Sequence, residues 1–250
     1  MSRDKRPPRQ PRKEPTPQEI LESWTPKTRL GRMVKEKEIT HIDQVLDGGW
    51  KIYEPQIVDV LVPNLKSELL LYGQSRGKFG GGQRREFRQT QKKTKEGNKP
   101  TFSTVALVGN GDGYVGIGFG RAGETLPARE KAVRNAKLAL VRIRRGSGSW
   151  ESTTTEPHSV PFEVSGKCGS VEVTLSPAPK GTGLKAQKEM AKILAAAGLK
   201  DVWSKARGKT KSRQNLIKAC YAALKKTSQM HVLAVHKEKL GITEGNIIKA

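Results

Sequence analysis

Phe102-Ser103-Thr104-Val105-Ala106-Leu107-Val108-Gly109-Asn110-Gly111-Asp112-Gly113-Tyr114-Val115-Gly116-Ile117-Gly118-Phe119-Gly120-Arg121 is the stretch on which the fold turns. Its first third is rich in β-formers. Asn110-Gly111 and Asp112-Gly113 then supply hairpin-turn chemistry, and a second run returns from Tyr114. In that return, Val115, Ile117 and Phe119 alternate with Gly116, Gly118 and Gly120. A period of two puts the three large side chains on one face and bare backbone on the other. A strand face without side chains admits a second backbone at close range.

C-terminal to the hairpin, residues 125–143 read as a helix. Ala132, Ala136, Ala139, Leu140 and Ile143 fall within roughly a 100° arc, with Lys131, Arg134 and Lys137 opposite. Upstream, residues 73–99 combine Gly80-Gly81-Gly82 with nine bases, and Phe79 and Phe87 are interleaved among them. This predicts a long basic loop leading into a strand. Residues 36–70 are different in kind. Lys37, Lys51 and Lys66 stand against Glu36, Glu38, Asp43, Asp47, Glu54, Asp59 and Glu68. The apolar run 57–62 and the segment 64–71 predict a helix or helix pair broken at Pro63. With its acidic balance, this segment should face the chain's own basic surface or a basic neighbour, not phosphates. Residues 1–17, with five prolines and six bases, read as an extended basic arm.

A Gly/Ser-rich connection over 147–158 leads to a second unit. Val160–Ser165 and Ser170–Leu175 read as strands, and Pro177-Ala178-Pro179-Lys180-Gly181-Thr182-Gly183 as a stiff loop. A helix around 185–197 burying Met190, Ile193 and Leu194 follows, then a strand at 202–206 and a helix to about 226 capped by Thr210 or Ser212. The expected architecture is α+β: an N-terminal extension (1–55), an α-β-β-β-α unit (56–146), a linker (147–158), a ββαβα unit (159–227) and a weakly helical tail (228–250).

The chain has 250 residues with 47 Lys and Arg against 24 Asp and Glu, a formal net charge of +23. Such an excess repels itself and is stable only beside a dense anion. Nucleic acid is the leading candidate, and an anionic membrane surface the second. No apolar stretch approaches the roughly 18 residues of a membrane span. No long basic amphipathic helix with an aromatic face favours a membrane surface either. The charged N-terminus has no apolar run of the kind that directs secretion. Two cysteines, Cys168 and Cys220, are too few for a disulfide framework or a cysteine-type zinc finger, and they fit a reducing cytosol.

Short motifs point away from catalysis. Gly111-Asp112-Gly113-Tyr114-Val115-Gly116 spells GxGxxG, yet a strand follows where a dinucleotide site needs a helix. Gly208-Lys209-Thr210 resembles the end of a Walker loop, but Trp203 stands where its first glycine should be. The histidines at 41, 158, 231 and 236 are scattered, and no metal, cofactor or catalytic residue is expected. The Pro177–Gly183 loop is the sharpest local signal. Glycines between a strand and a helix can present amides to a phosphate, with Lys180 adding charge. The alternative is a rigid structural connection. In a small-molecule kinase the anion would be a nucleotide; in an RNA binder it would be a backbone phosphate. Basic clusters recur around 76–99, 129–145 and 205–213, on both units, as expected of a phosphate-binding surface. The expected RNA-contacting residues are Arg76, Lys78, Arg84, Arg85, Lys92, Lys93, Lys95, Arg121, Lys180, Gly181, Thr182, Gly183, Arg207, Lys209 and Lys211.

The segment Phe102–Arg121 resembles the signature of the small-subunit ribosomal protein S-five family (S-two in eukaryotes). His158–Gly183 and Ser204-Lys205-Ala206-Arg207-Gly208 agree with it. Trp24-Thr25-Pro26-Lys27-Thr28-Arg29-Leu30-Gly31-Arg32-Met33-Val34 is similar to its archaeal and eukaryotic branch. The resemblance covers about residues 24–235. It implies a first domain like a double-stranded-RNA-binding fold and a ββαβα second domain. It also implies small-subunit ribosomal RNA as ligand, neighbours S-four and S-eight, a cytoplasmic place near the mRNA entry channel, and a contribution to translational accuracy. An assembly factor or RNA chaperone is the alternative reading, with the kinase behind it.

Overall fold

The hairpin at 102–121 forms the centre of an antiparallel sheet in the computed structural model, which describes residues 21–62, 64–73 and 84–245. Strands β3 (Gly97–Gly109) and β4 (Tyr114–Ala122) pair with Val105 opposite Phe119 and Leu107 opposite Ile117. β1 (Lys66–Leu69) and β2 (Arg88–Thr94) share the other edge of β3, and β5 (Leu140–Arg142) pairs with β4. Ahead of the sheet come α1 (Arg29–Lys35), α2 (Ile42–Asp47) and α3 (Pro55–Leu61).

Helix α4 (Thr125–Leu138) lies on the bare face of β4. A Cβ built on Gly116, Gly118 or Gly120 would come within 3.0 Å of backbone at Ala136, Ala132 and Ala128 respectively. Four helix residues rise about 6 Å and two strand residues about 6.6 Å, so glycine and alanine rows running in opposite directions stay in step over two helical turns. The glycine alternation is therefore the seat of a helix.

Several elements differ from expectation. In the second unit the first strand, expected over 160–165, runs Val164–Cys168, and Leu184–Lys185 forms a short strand where the helix was expected to begin. Residues 64–71 were expected to be helical, but Lys66–Leu69 is strand β1, with Lys66 opposite Gly109 and Leu69 opposite Ala106. A short apolar run carries no decisive period, and the open edge of β3 supplies the backbone partners that decide it. Pro63, the expected break, lies outside the described residues. Residues 88–99 are a hairpin, not a loop: β2 pairs with the front half of β3 along its whole length. Both of its faces are polar, so hydrophobic alternation was silent there. Finally, the helix expected to reach 143 ends at Leu138, because Leu140–Arg142 satisfies the free edge of β4.

The second sheet runs β7 (Val164–Cys168), β8 (Val171–Pro177), β10 (Val202–Arg207), β9 (Leu184–Lys185). Helices α5 (Lys188–Ala196) and α6 (Arg213–Gln229) accompany it. Short β6 (Arg144–Arg145) pairs with β11 (Thr243–Glu244), beyond α7 (Ala234–Lys239). No helix among the described residues is long and apolar enough to cross a membrane.

The two sheets share one core. Leu70, Tyr72, Val105, Leu107, Val115 and Ile117 of the first belong to the same buried cluster as Val173, Leu175, Met190, Leu194, Ile217 and Leu224 of the second. The β3–β4 turn also docks on the end of α5: the Gly111 and Gly113 amides donate to the Ala196 and Ala197 carbonyls at 3.0 and 3.1 Å. Hydrogen bonds of this kind contribute about 1 kcal/mol each. Burying one such side chain contributes about 1.5–3 kcal/mol. Apolar burial therefore holds the units together, and the turn bonds set their register. The Gly-rich turn serves a helix C-terminus, the opposite pole from the one a nucleotide phosphate needs. Within 147–158, Ser147, Ser149 and His158 are buried, while Trp150 is almost fully exposed.

Candidate nucleic-acid interface

β2, the front half of β3 and the C-terminal end of β4 extend past the shared core, and their side chains change character there. On the face that carries Val105 and Phe119 deeper in, the next row outward is Arg88, Ser103 and Arg121, side by side across three strands. Beyond it lie Thr90 with Thr101, then Lys92 with Lys99. Lys93 is on β2 and Lys95 in its turn, both exposed. From the second unit, the loop ahead of α6 brings exposed Lys209 and Lys211. The Arg84 guanidinium reaches the Lys211 carbonyl at 3.5 Å, which joins the two basic clusters into one surface.

Between them is a cavity of about 540 Å³ lined by Tyr72, Arg88, Ser103, Phe119, Arg121, Lys131 and Gln214, among others. Phe119 forms its apolar wall, with the Lys218 ammonium 4.8 Å from the ring centroid. Arg213, at the start of α6, carries a buried Nε without a hydrogen-bond partner. Burial, and then the neighbouring Arg84 guanidinium, push Arg213 below its ordinary range against the pull of Glu189. Cations crowded closely enough to oppose one another's charge form a site for a polyanion.

The acidic segment turns away from this cleft. Asp43 and Asp47 pair with Arg142 at 3.2 and 2.6 Å, Asp59 with Lys137 at 2.6 Å, and Glu68 with Lys192. Glu54 accepts from the Trp24 indole and from the Lys27 and Thr28 amides. The expectation that these carboxylates face the chain's own basic groups therefore holds for Asp43, Asp47, Asp59 and Glu68, whereas Glu54 serves neutral donors of the N-terminal segment. The three aspartates also neutralise Lys137 and Arg142, part of the basic cluster expected at 129–145.

The Pro177–Gly183 loop is a correction. Its amides are directed at an anion, but that anion is the chain's own Asp201. Gly181 and Gly183, both with positive φ (91° and 73°), donate to Asp201 Oδ1 at 3.1 and 2.8 Å. The carboxylate is buried, and its Oδ2 lies 3.0 Å from Nδ1 of equally buried His158. The Thr182 hydroxyl donates to the Pro179 carbonyl, and Lys180 pairs with Glu156 at 2.6 Å. The loop is thus the rigid connection that was the alternative reading, with its cradle filled. Arg207 is exposed on β10, on the outer face of the second sheet.

Of the expected contact residues, the structure gathers Arg84, Lys92, Arg121, Lys209 and Lys211 toward the cleft; Lys93 is exposed on the opposite face of β2 from Lys92, Lys95 is exposed in the hairpin turn, and Arg85 is exposed next to Arg84. Arg76 and Lys78 lie outside the described residues. Arg88, Lys131, Phe119, Tyr72 and Gln214 were not among the expected set. Arg88 was legible in the basic run; Tyr72 is held at the cleft within the first unit by its hydroxyl on Ser103, whereas Gln214 reaches it only because the two units pack.

Two family models match in chain order: "Ribosomal protein S5, N-terminal domain" over residues 86–144 and "Ribosomal protein S5, C-terminal domain" over 166–238. The chain is 49% identical over 228 residues to the small ribosomal subunit protein uS5 of Nanoarchaeum equitans, covering 91% of this chain and 98% of the relative. It is 42% identical to that of Methanocaldococcus jannaschii with the same coverage. To that of Pyrobaculum arsenaticum it is 50% identical over 204 residues, covering 82% and 94% of the two chains. Likeness of this depth, over both units and archaeal in each case, means that the chain belongs to the ribosomal protein S5 family.

Proposed function

We propose that this protein is a structural constituent of the cytoplasmic small ribosomal subunit that holds folded small-subunit ribosomal RNA in the basic cleft between its two units. The observation that carries the reading is the meeting of Arg84 with Lys211, which makes one cationic surface out of two sequence-distant clusters. Arg84, Arg85, Arg88, Lys92, Lys93, Lys95, Arg121, Lys209 and Lys211 take phosphates and displace counterions. Arg76 and Lys78 belong to the same basic run. The Phe119 cavity takes an unstacked base or a sugar edge. No chemical step is involved. The shared apolar core fixes the distance between the two basic clusters, so the protein clamps RNA of one shape without reading a sequence. Double-stranded-RNA-binding and ββαβα domains, placement beside the mRNA entry channel and the S-four and S-eight proteins, and an effect on decoding accuracy are parts of the proposal that follow the family resemblance.

The test is filter binding of the full chain to small-subunit ribosomal RNA across a KCl series. The log affinity should fall linearly with log salt. Lys211→Gln and Arg88→Gln should each flatten the slope by about 0.7–0.9 for every phosphate left without its cation. A slope unchanged in both variants overturns the cleft as the interface. Sedimentation separates the other reading: a structural constituent stays with the small subunit through a high-salt wash, whereas an assembly factor leaves.

A further inference from the structure

The second sheet has a face that the cleft does not use. Its helices pack on the side of Val171, Val173, Leu175 and Val202, all fully buried. The opposite side carries Trp203, 42% exposed, flanked in register by Ser176 on β8 and Lys185 on β9. One step along the sheet, Lys205 stands beside Thr174 and Ser165; one step further, Arg207 is beside Glu172 and Lys167. Lys167, Lys185, Lys205 and Arg207 are all exposed. Among the described residues none of the four has an ion-pair partner, and Glu172 is the lone acid in these rows.

An open β-face with helices behind it, one half-exposed indole, rows of hydroxyls and a net positive charge combines what a single nucleic-acid strand requires. The aromatic stacks a base, the cations follow the phosphates, and the hydroxyls meet base edges and 2′-hydroxyls. From Trp203 to Arg207 the strand spans about 13 Å. With one aromatic on this face, the sheet stacks one base and the flanking cations follow the phosphates on either side. A cap formed by another protein would bring apolar area around the indole; here Trp203 is ringed by Ser176, Lys185 and Lys205. We propose that the outer face of β7-β8-β10-β9 is a platform for unpaired RNA, separate from the folded-RNA cleft, with Trp203 as its stacking residue and Lys185, Lys205 and Arg207 as its phosphate contacts. This goes beyond the clamp role, and either can fail without the other.

The test uses the full chain and an octauridylate carrying 5-iodouridine, read by fluorescence anisotropy and by photo-crosslink mapping. Trp203→Ala should weaken binding roughly 5- to 150-fold, the span of one base–aromatic stack. Trp203→Phe should stay within about threefold of the parent, because a ring is retained. Inorganic polyphosphate, which has no bases, should bind the parent and Trp203→Ala alike, and the crosslinked peptide should contain Trp203. Equal oligonucleotide affinity in parent and Trp203→Ala overturns the proposal. So do crosslinks confined to the Phe119 cleft, or release of a neighbouring ribosomal protein by Trp203→Ala with RNA affinity intact. The last result would make the face a protein-docking surface.

Discussion

Replacing Gly118 by alanine tests the packing that defines the first unit. Its Cβ would meet the Ala132 carbonyl oxygen and the Ala136 amide nitrogen well inside 3.0 Å, and would lie 2.7 Å from the Asn135 carbonyl carbon. All three are backbone atoms of α4, so no rotamer change relieves the clash. To take the most distant of the three from 2.7 Å to the 3.4 Å of ordinary van der Waals approach, the helix must lift off the sheet along its length. Asn135 resists this, since its amide donates to the Phe119 carbonyl at 2.8 Å, and so do buried Ala128, Ala132 and Ala136. Overpacking of a well-fitted core costs about 1–3 kcal/mol, and a backbone-to-backbone clash belongs at the upper end. The control lies in the same loop-and-strand region. A Cβ on Gly123 meets nothing within 4 Å, and its φ is not positive. Gly123→Ala should therefore stabilise by about 0.4–1 kcal/mol through the unfolded state. The two variants should then differ by about 2–4 kcal/mol. Urea unfolding followed by circular dichroism reads this as a shift of midpoint at unchanged slope. Equal midpoints for Gly118→Ala and Gly123→Ala would refute the claim that the bare strand face exists to seat a helix.

Asp201→Ala removes the acceptor of the Gly181 and Gly183 amides, and should cost about 1–3 kcal/mol for each amide left without a partner. Asp201→Asn keeps one acceptor and should cost less; equal stability of all three proteins in thermal melts would dismiss the filled cradle. Burial opposes ionisation of Glu54, but hydrogen bonds from Thr28, the Lys27 amide and Trp24 together hold its pKa below the ordinary 4.5. A depressed carboxylate stabilises the fold above its unfolded pKa and loses that contribution as pH falls through the folded value. The stability gap between parent and Glu54→Gln should thus be full above pH 4.5 and close below it; a gap independent of pH would contradict the assignment. Burial pushes the Cys220 thiol up to about 12, while Cys168 is partly exposed. Iodoacetamide should therefore label Cys168 alone in the native protein and both thiols in urea, as peptide mass mapping would read.

Much of the fold was legible because it rests on local chemistry. Asn110-Gly111 and Asp112-Gly113 forced a hairpin. The alternation of Val115, Ile117 and Phe119 with glycines named the two faces of β4, and Met190, Ile193 and Leu194 marked the buried side of α5. The edge strands β1 and β5 were not legible. Each is a short run whose own pattern is ambiguous, and each exists because a neighbouring strand presents unpaired backbone groups. The β2 arm was hidden for a related reason, since a strand exposed on both faces leaves no hydrophobic period.

Charge was legible as a total and in its clusters along the chain, and it pointed to a polyanion before any geometry was known. Which cations work together was not legible. Lys211 and Arg84 are 127 positions apart, and only packing of the two sheets into one core brings them within reach. The Pro177–Gly183 loop makes the same point from the other side. Its glycines announced a cradle for an anion, but the identity of that anion depended on where Asp201 lands, because a backbone amide accepts any carboxylate or phosphate oxygen that arrives at the right distance. Local sequence set the turns, faces and overall charge. Tertiary packing chose the partners, since hydrogen bonds and ion pairs act only over a few ångströms and the chain brings distant residues that close only when its core is formed.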